Sequence, residues 1–431
     1  LEKIKKNMFQ KSFFFLLIWI LAAGMSALQA QEIRVIEGKV TSKNTGKPLP
    51  YVLVKVQGTN ISSATNLDGQ YVIKFPASMA EGKLEFSLVG YFKHEISLSV
   101  VKSPYNVQMN QEAVMLEEVD ISVTTPTSIV KKAVEKISSN YYNKPTSLTA
   151  FYREIGDLNY SHGRVAEAVV EVYKSPYSGH FTGGHEDVKM LKGREVGVDD
   201  SLAQFIWSQP GVMRGGPVGI IQQDIAKHPN SVSFLFIRSD YIGKYDYKLI
   251  GKKKINGRDT YILKFDQKNK VKESLYKGEM MIDTETFAIV RLEYKLSDEH
   301  LKDAVPFKYQ GIEIKKIEDY SVIEYTMSSE GKWFLAYTMQ GETYEATATS
   351  QRTKAAYAKT FSGKEKITIG KIYELFTTGI NTEEVKSIPN RERLTLRDVV
   401  YDRDQDHDFE FWENYNFVKM DESLRKSFEK R

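Results

Sequence analysis

From Tyr245 to Met339 the chain repeats one pattern: short runs in which apolar and polar side chains alternate, divided by residues that turn. Tyr245–Lys253 and Asp259–Phe265 flank Asn256-Gly257, a pair that favours the tight turn of a hairpin. Tyr276–Ile282 passes through Asp283-Thr284-Glu285-Thr286 into Ala288–Leu296, where Ala288, Val290, Leu292, Tyr294 and Leu296 share a face. Tyr320–Met327 turns at Glu330-Gly331 into Trp333–Met339. Successive side chains of a strand point to opposite faces, so this period predicts an antiparallel sheet with one face buried and one solvated. Ala150–Ile155 and Val165–Tyr173 predict a further pair. With 25 Tyr and 22 Phe the composition suits strands. Zero cysteines exclude disulfides, zinc–thiolate sites and cysteine nucleophiles.

Residues 1–30 read as a secretory leader. Lys3, Lys5, Lys6 and Lys11 form the basic end, Phe13–Ala23 the apolar stretch, and Ala30 the small residue beside a cut before Gln31. Four lysines against Glu2 carry most of the net charge of +4, leaving about +1 for the rest. Such a balance excludes a concentrated nucleic-acid footprint. After the leader no apolar run has spanning length, and without cysteine no thioether-linked lipid can form. The expected address is the periplasm or the outer-membrane surface.

Residues 31–110 read as short strands about ten residues apart. Asn44–Pro50, Gly58-Thr59-Asn60 and Asn66-Leu67-Asp68-Gly69 supply turns between them, as in a small β-sandwich. Asp68-Gly69 is read as a tight turn rather than a calcium site. The run GKVTSKNTGKPLPYVLVKVQGTNISSATNLDGQYVIKFP, followed by LEFSLVGY, resembles the carboxypeptidase D regulatory-like family. That resemblance implies a transthyretin-like sandwich, with Val107-Gln108-Met109 and Leu116-Glu117-Glu118-Val119 as closing strand and exit, and residues 111–123 as a linker.

Residues 124–431 open on a helix: Thr125-Pro126 starts it, and Ile129, Val130, Ala133, Val134, Ile137 and Tyr141 recur at helical spacing. Ser201–Trp207 and Gly219–Lys227 are weaker helical candidates. A helix laid on a large curved antiparallel sheet is an α+β half-barrel, so the predicted class is mainly β. The stretch YKLIGKKKINGRDTYILKFDQ…LYKGEMMIDTETFAIVRLEY resembles the LolA-like fold of lipoprotein-sorting proteins. The helix ending in Tyr141-Tyr142, Phe151–Glu154 and the C-terminal Phe411–Asn416 look like Bacteroidetes proteins that join a regulatory-like domain to such a sheet. The resemblance implies an apolar concave face.

Searching for chemistry finds little. There is no G-x-S-x-G, no P-loop and no G-x-G-x-x-G. Among His94, His162, His180, His185, His228, His300 and His407 none belongs to H-E-x-x-H. His407 and Glu410 have carboxypeptidase spacing but no later histidine, and His185-Glu186 continues without a second ligand. His180–His185 reads as an exposed loop, and Gly211–Gly219 with Arg214 as a mobile loop rather than an anion cradle. Asp402, Asp404, Asp406 and Glu413 copy the ligand order of a calcium loop, but His407 stands where the sharp turn needs glycine, so an acidic solvated segment is expected. The aromatic surplus is read as core and cross-strand packing rather than a carbohydrate platform. No catalytic, cofactor or metal residue is assigned. The expected function is a non-enzymatic envelope binding module, for a lipid or other hydrophobic ligand in the concave sheet. The alternatives are an adaptor on an outer-membrane complex and a glycan or peptide hydrolase with an undisclosed acid pair.

Overall fold

The computed structural model describes residues 32–59, 61–79, 81–112, 125–159, 161–177, 186–197, 216–255, 257–297, 305–396, 398, 400 and 415–429. Strands dominate, in two small sheets and one large sheet. The small sheets comprise β1 (Ile33–Ser42), β2 (Leu53–Val56), β3 (Ser62–Ala64), β4 (Gln70–Pro76), β5 (Lys83–Ser87), β6 (His94–Ser97) and β7 (Val107–Met109). One has the order β4-β1-β7, with β7 parallel to β1, and the other β3-β2-β5-β6. Alternate residues of these strands (Val40, Val54, Tyr71, Ile73, Leu84, Phe86) form the shared core of a sandwich. The turn before β4 forms as the residues dictate: Gly69 has φ +73°, and the Asn66 carboxamide accepts from the Asp68 and Gln70 amides.

The large sheet contains β8 (Thr146–Leu158), β9 (Ser161–Lys174), β10 (Glu186–Gly197), β11 (Tyr245–Ile255), β12 (Arg258–Gln267), β13 (Tyr276–Asp283), β14 (Ile289–Leu296), β15 (Phe307–Tyr309), β16 (Ile312–Met327), β17 (Trp333–Ala348) and β18 (Lys366–Asn381). Its order is β10-β9-β8-β18-β17-β16-β14-β13-β12-β11, with β15 beside β16, and every pairing is antiparallel. The last strand thus slots between the first strand and β17, so the sheet closes its middle only when the whole domain is made. Its two edges, β10 and β11, are each broken by a register shift and are rich in Lys and Arg.

The face carrying Leu148, Ala150, Tyr152, Leu292, Tyr294 and Tyr373 is the inner face, packed under the helices. Here α1 (Pro126–Glu135) starts as predicted, with the Thr125 side chain accepting from the Ser128 amide and proline in the first turn. After the short α2 (Ile137–Asn140), Asn140 donates to the Thr286 carbonyl at 2.8 Å and Tyr141 to the Ile289 carbonyl at 2.8 Å. These two bonds tie the helical segment to β14 and the turn before it.

A tight spot between β13 and β14 yields a clear expectation. A Cβ at Gly278 would stand 2.1 Å from the Glu293 carbonyl oxygen and 2.8 Å from Tyr294 Cα, and this paired backbone of β14 cannot yield. Gly278→Ala should therefore cost about 3 kcal/mol in a urea titration. A loss under about 1 kcal/mol would mean that the strands separate freely here.

Candidate functional site

The concavity where a ligand was expected holds the chain's own residues. Segment 216–237, which begins with α3 (Gly216–Ile221), lies on the inner face and buries Ile220, Ile221, Ile225, Ala226, Phe234 and Phe236 there. Polar bonds seat it as firmly as packing does. Lys174 lies between Asp224, at 2.7 Å, and Glu186, and all three are at most 3% exposed. The Tyr177 and Tyr325 hydroxyls also donate to Asp224, while His228 meets Glu186 at 2.5 Å. Gln223 bridges Gln340, at 3.1 Å, and the Tyr294 hydroxyl, at 2.8 Å. Burial pushes the Asp224 and Glu186 carboxyls up, but Lys174 outweighs it and both lie below the ordinary carboxylate range.

Beside this segment a row of buried charges of alternating sign crosses six strands. Glu195 pairs with Arg164 at 2.8 Å, Arg164 with Glu154 at 2.6 Å, and Glu154 with Lys371 at 2.8 Å. Next in register, Glu342 shares Lys316 with Asp319, at 2.6 and 2.8 Å. Burial raises Glu154, yet Lys371 and Arg164 bring its carboxyl down to about 2. For Glu342 burial prevails over Lys316, and its pKa is raised. The row divides the main core from a smaller cluster around Ile312, Ile314, Tyr344 and Phe361. Paired acids such as Glu342 and Asp319 would suit hydrolysis, but these two and Glu154 are at most 4% exposed. No substrate reaches them as they stand.

The open site is on the opposite, outer face. A groove of about 620 Å³ crosses β11, β12, β13, β14 and β16, floored by the backbone of Tyr247, Phe265, Gly278, Tyr294 and Ser321. Side chains that alternate with the floor residues form its walls: Lys248, Lys264, Glu279, Glu293 and Val322 on one side, Asp246, Asp266, Lys277, Lys295 and Tyr320 on the other. Tyr320 lies over Gly341, where a Cβ would come within 2.5 Å of its ring. Four like-charged pairs stand directly opposite across strands: Lys248 with Lys264, Asp246 with Asp266, Glu279 with Glu293, and Lys277 with Lys295. Between β12 and β13 the signs differ, with Lys264 opposite Glu279. Burial and Glu293 push the Glu279 carboxyl up, against Lys264. Like charges placed opposite one another weaken a sheet. Four such pairs in one patch break a local rule in the way expected where binding, rather than stability, selects the residues.

Most residues weighed for chemistry from the sequence are not among the described ones. Asp402, Asp404, Asp406, His407, Glu410, Glu413, His180, His185, Arg214 and Ser201–Trp207 lie outside the described residues. The glycine-rich stretch is corrected in part. Gly216–Gly219 is not a mobile loop but the buried start of α3, and a Cβ at Gly216 would fall 2.4 Å from the Asp398 carbonyl. The helix expected at Gly219–Lys227 ends at Ile221, where turns take over. Asp68 serves the fold by accepting from the Glu422 amide at 2.6 Å. Among the described residues no three His, Asp or Glu side chains group as a metal site. Sequence reasoning missed the groove and β18, where Ile367, Ile369, Tyr373 and Leu375 share a face but Lys371 breaks the series.

Residues 36–121 match the CarboxypepD_reg-like domain. No curated protein matches the chain. Among solved structures, the chain is similar to a domain described as an outer membrane lipoprotein-sorting protein from Vibrio parahaemolyticus. The two are 12% identical over 60% of this chain and 94% of that one, with a TM-score of 0.24. A DUF1329 family protein from Desulfovibrio piger is 10% identical over 61% and 96%, with a TM-score of 0.25. A membrane-associated protein of unknown function from Bacteroides fragilis is 10% identical over 81% and 98%, with a TM-score of 0.15.

The regulatory-like domain lies on the outer face of the large sheet, next to the groove. Tyr51 stacks on Tyr337 and Phe376, with ring centroids 5.3 and 6.2 Å away, so this part of the aromatic surplus is packing between the two parts of the chain. The Ser62 hydroxyl donates to the Thr377 carbonyl at 2.7 Å. The C-terminal residues 415–424 strap both parts together. Asn416 makes two bonds to the Lys74 backbone, and Arg153, 3% exposed, donates to the Val418 and Lys419 carbonyls. No helix among the described residues is long and apolar enough to cross a membrane.

Proposed function

We propose that the chain is a non-enzymatic binding protein of the cell envelope, and that its ligand lies in the outer-face groove rather than in the filled inner face. The groove's like-charged pairs carry this reading. Along β11 and β12 the groove has cations on one wall and anions on the other, and along β13 and β14 the polarity is reversed. Lysine stems line it with apolar surface, and Tyr320 and Val322 make its β16 end apolar. The matching ligand is elongated and apolar in body, with charges of both signs, a class that includes hydrophobic peptides and zwitterionic lipids.

Native mass spectrometry of protein purified from its own host tests this. We expect a co-purifying species that disappears in Val322→Glu, together with a loss of affinity for that species of about tenfold or more. An empty wild-type protein, or one whose bound species survives the substitution, would overturn the reading.

A further inference from the structure

A second cavity lies where the regulatory-like domain meets the large sheet. It measures about 420 Å³ and is walled by Lys55, Thr59, Glu85 and Lys93 from the domain, and by Ile255, Arg258, Asp283, Val290, Met327 and Trp333 from the sheet. Its charges are not all balanced. Lys93 pairs with Glu85 at 3.0 Å, and Arg258 grips Asp283 at 2.6 and 3.0 Å and Glu285 at 2.9 Å. Lys55 has no such acceptor among the described residues; its ammonium stands 5.9 Å from the Phe334 ring. Burial lowers its pKa, with Glu85 opposing and Lys93 adding. A half-buried ammonium without an ion partner costs desolvation and recovers little from a ring at that distance. Pockets between domains that combine apolar walls with one or two placed polar groups are the usual form of a small-ligand site.

We infer that this interdomain cleft binds a monocarboxylate with a compact apolar body, its carboxylate on Lys55 and its body against Ile255, Val290 and Met327. A single uncompensated cation favours one negative charge over a phosphate, and the volume holds an aryl or branched alkyl group. The carboxylate could belong to a free acid or to the C-terminus of a short hydrophobic peptide, since both offer the same chemistry. The site is separate from the groove and does not rest on the reading given for it.

Isothermal titration with 3-phenylpropionate and its amide, and with N-acetyl-Leu-Phe as acid and as C-terminal amide, tests the inference. Each acid should bind at least tenfold tighter than its amide. A preference for one acid over the other names the source. Lys55→Met should remove the acid's advantage, Lys55→Arg should keep most of it, and Val322→Glu in the groove should leave it unchanged. Matching thermal melts establish that the variants fold. Equal binding of acids and amides, no binding up to about 10 mM, where binding free energy falls below about 3 kcal/mol, or wild-type behaviour of Lys55→Met would each overturn the inference.

Discussion

Lys174→Met should lower stability by about 3–5 kcal/mol, because it removes the cation that Asp224 and Glu186 share and leaves two carboxylates in the core. His228 pairs with Glu186, while Asp224 keeps the Tyr177 and Tyr325 hydroxyls. The sign of the pH dependence makes the expectation specific. In the parent both carboxyls lie below their unfolded values, so their stabilisation is present above the unfolded range near pH 4 and is lost as pH falls through the folded values. In the variant, burial and mutual repulsion put both carboxyls above their unfolded values, and folding then takes up protons. The deficit measured by urea unfolding should therefore shrink as pH falls from 7 to 5. Adding Asp224→Asn and Glu186→Gln to Lys174→Met should restore part of the loss and flatten the pH dependence. A deficit that is constant with pH, or a loss below about 1 kcal/mol, would show that segment 216–237 is held by packing alone.

Deleting residues from Tyr415 onward should let the regulatory-like domain come away from the sheet. Val418 and Leu424 are buried, and the segment supplies acceptors for Arg153 and Ser63, the two bonds of Asn416 to Lys74, and the Glu422 amide on Asp68. Two buried side chains at about 1.5–3 kcal/mol each, with several hydrogen bonds at about 1 kcal/mol, amount to about 5 kcal/mol or more of coupling. Arg153 would keep Glu167, at 2.8 Å, but would face water where the strap had been. Hydrogen exchange should rise in two separate places, at Ser62–Lys74 and at Phe151–Ile155, and a single thermal transition should split into two. Unchanged exchange at both places would mean that the Tyr51 stack alone keeps the parts together.

How much of this was legible in the chain depends on what each residue faces. Alternation marked β11 to β14, because their inner positions are apolar and most outer positions polar, and the turn at Glu330-Gly331 marked the β16–β17 hairpin. Thr125-Pro126 marked α1, and Asn66–Gly69 the turn before β4. By contrast β18 is buried along much of both faces and carries Lys371 and Glu374 at closed positions. Its apolar period is therefore interrupted where the charge row crosses it. The members of that row come from six strands, only Lys316 and Asp319 sharing one, and each reads as an ordinary solvated residue until register brings them together. The same is true of the groove. Lys248, Lys264, Lys277 and Lys295 look like surface lysines of a half-solvated sheet, and only the pairing shows that each faces its own kind. Segment 216–237 was unreadable for a different reason: turns and short helices without period fill the concavity, and composition alone does not say which way such a segment points.

The bulged, lysine-rich edges of the large sheet decide what the molecule avoids. An open sheet ends in two rows of unused backbone donors and acceptors, each a template on which another chain could extend the ladder. On β11 the run Lys252-Lys253-Lys254 and the shift at Leu249 to Gly251, and on β10 Lys189, Lys192, Arg194 and the shift at Met190 to Lys192, set charge and distortion along both rows. Two copies meeting edge to edge would bring cation against cation on a twisted ladder. In a protein built mostly of strand, edges of this kind disfavour extension of the ladder by a second copy and leave contacts to its faces and clefts.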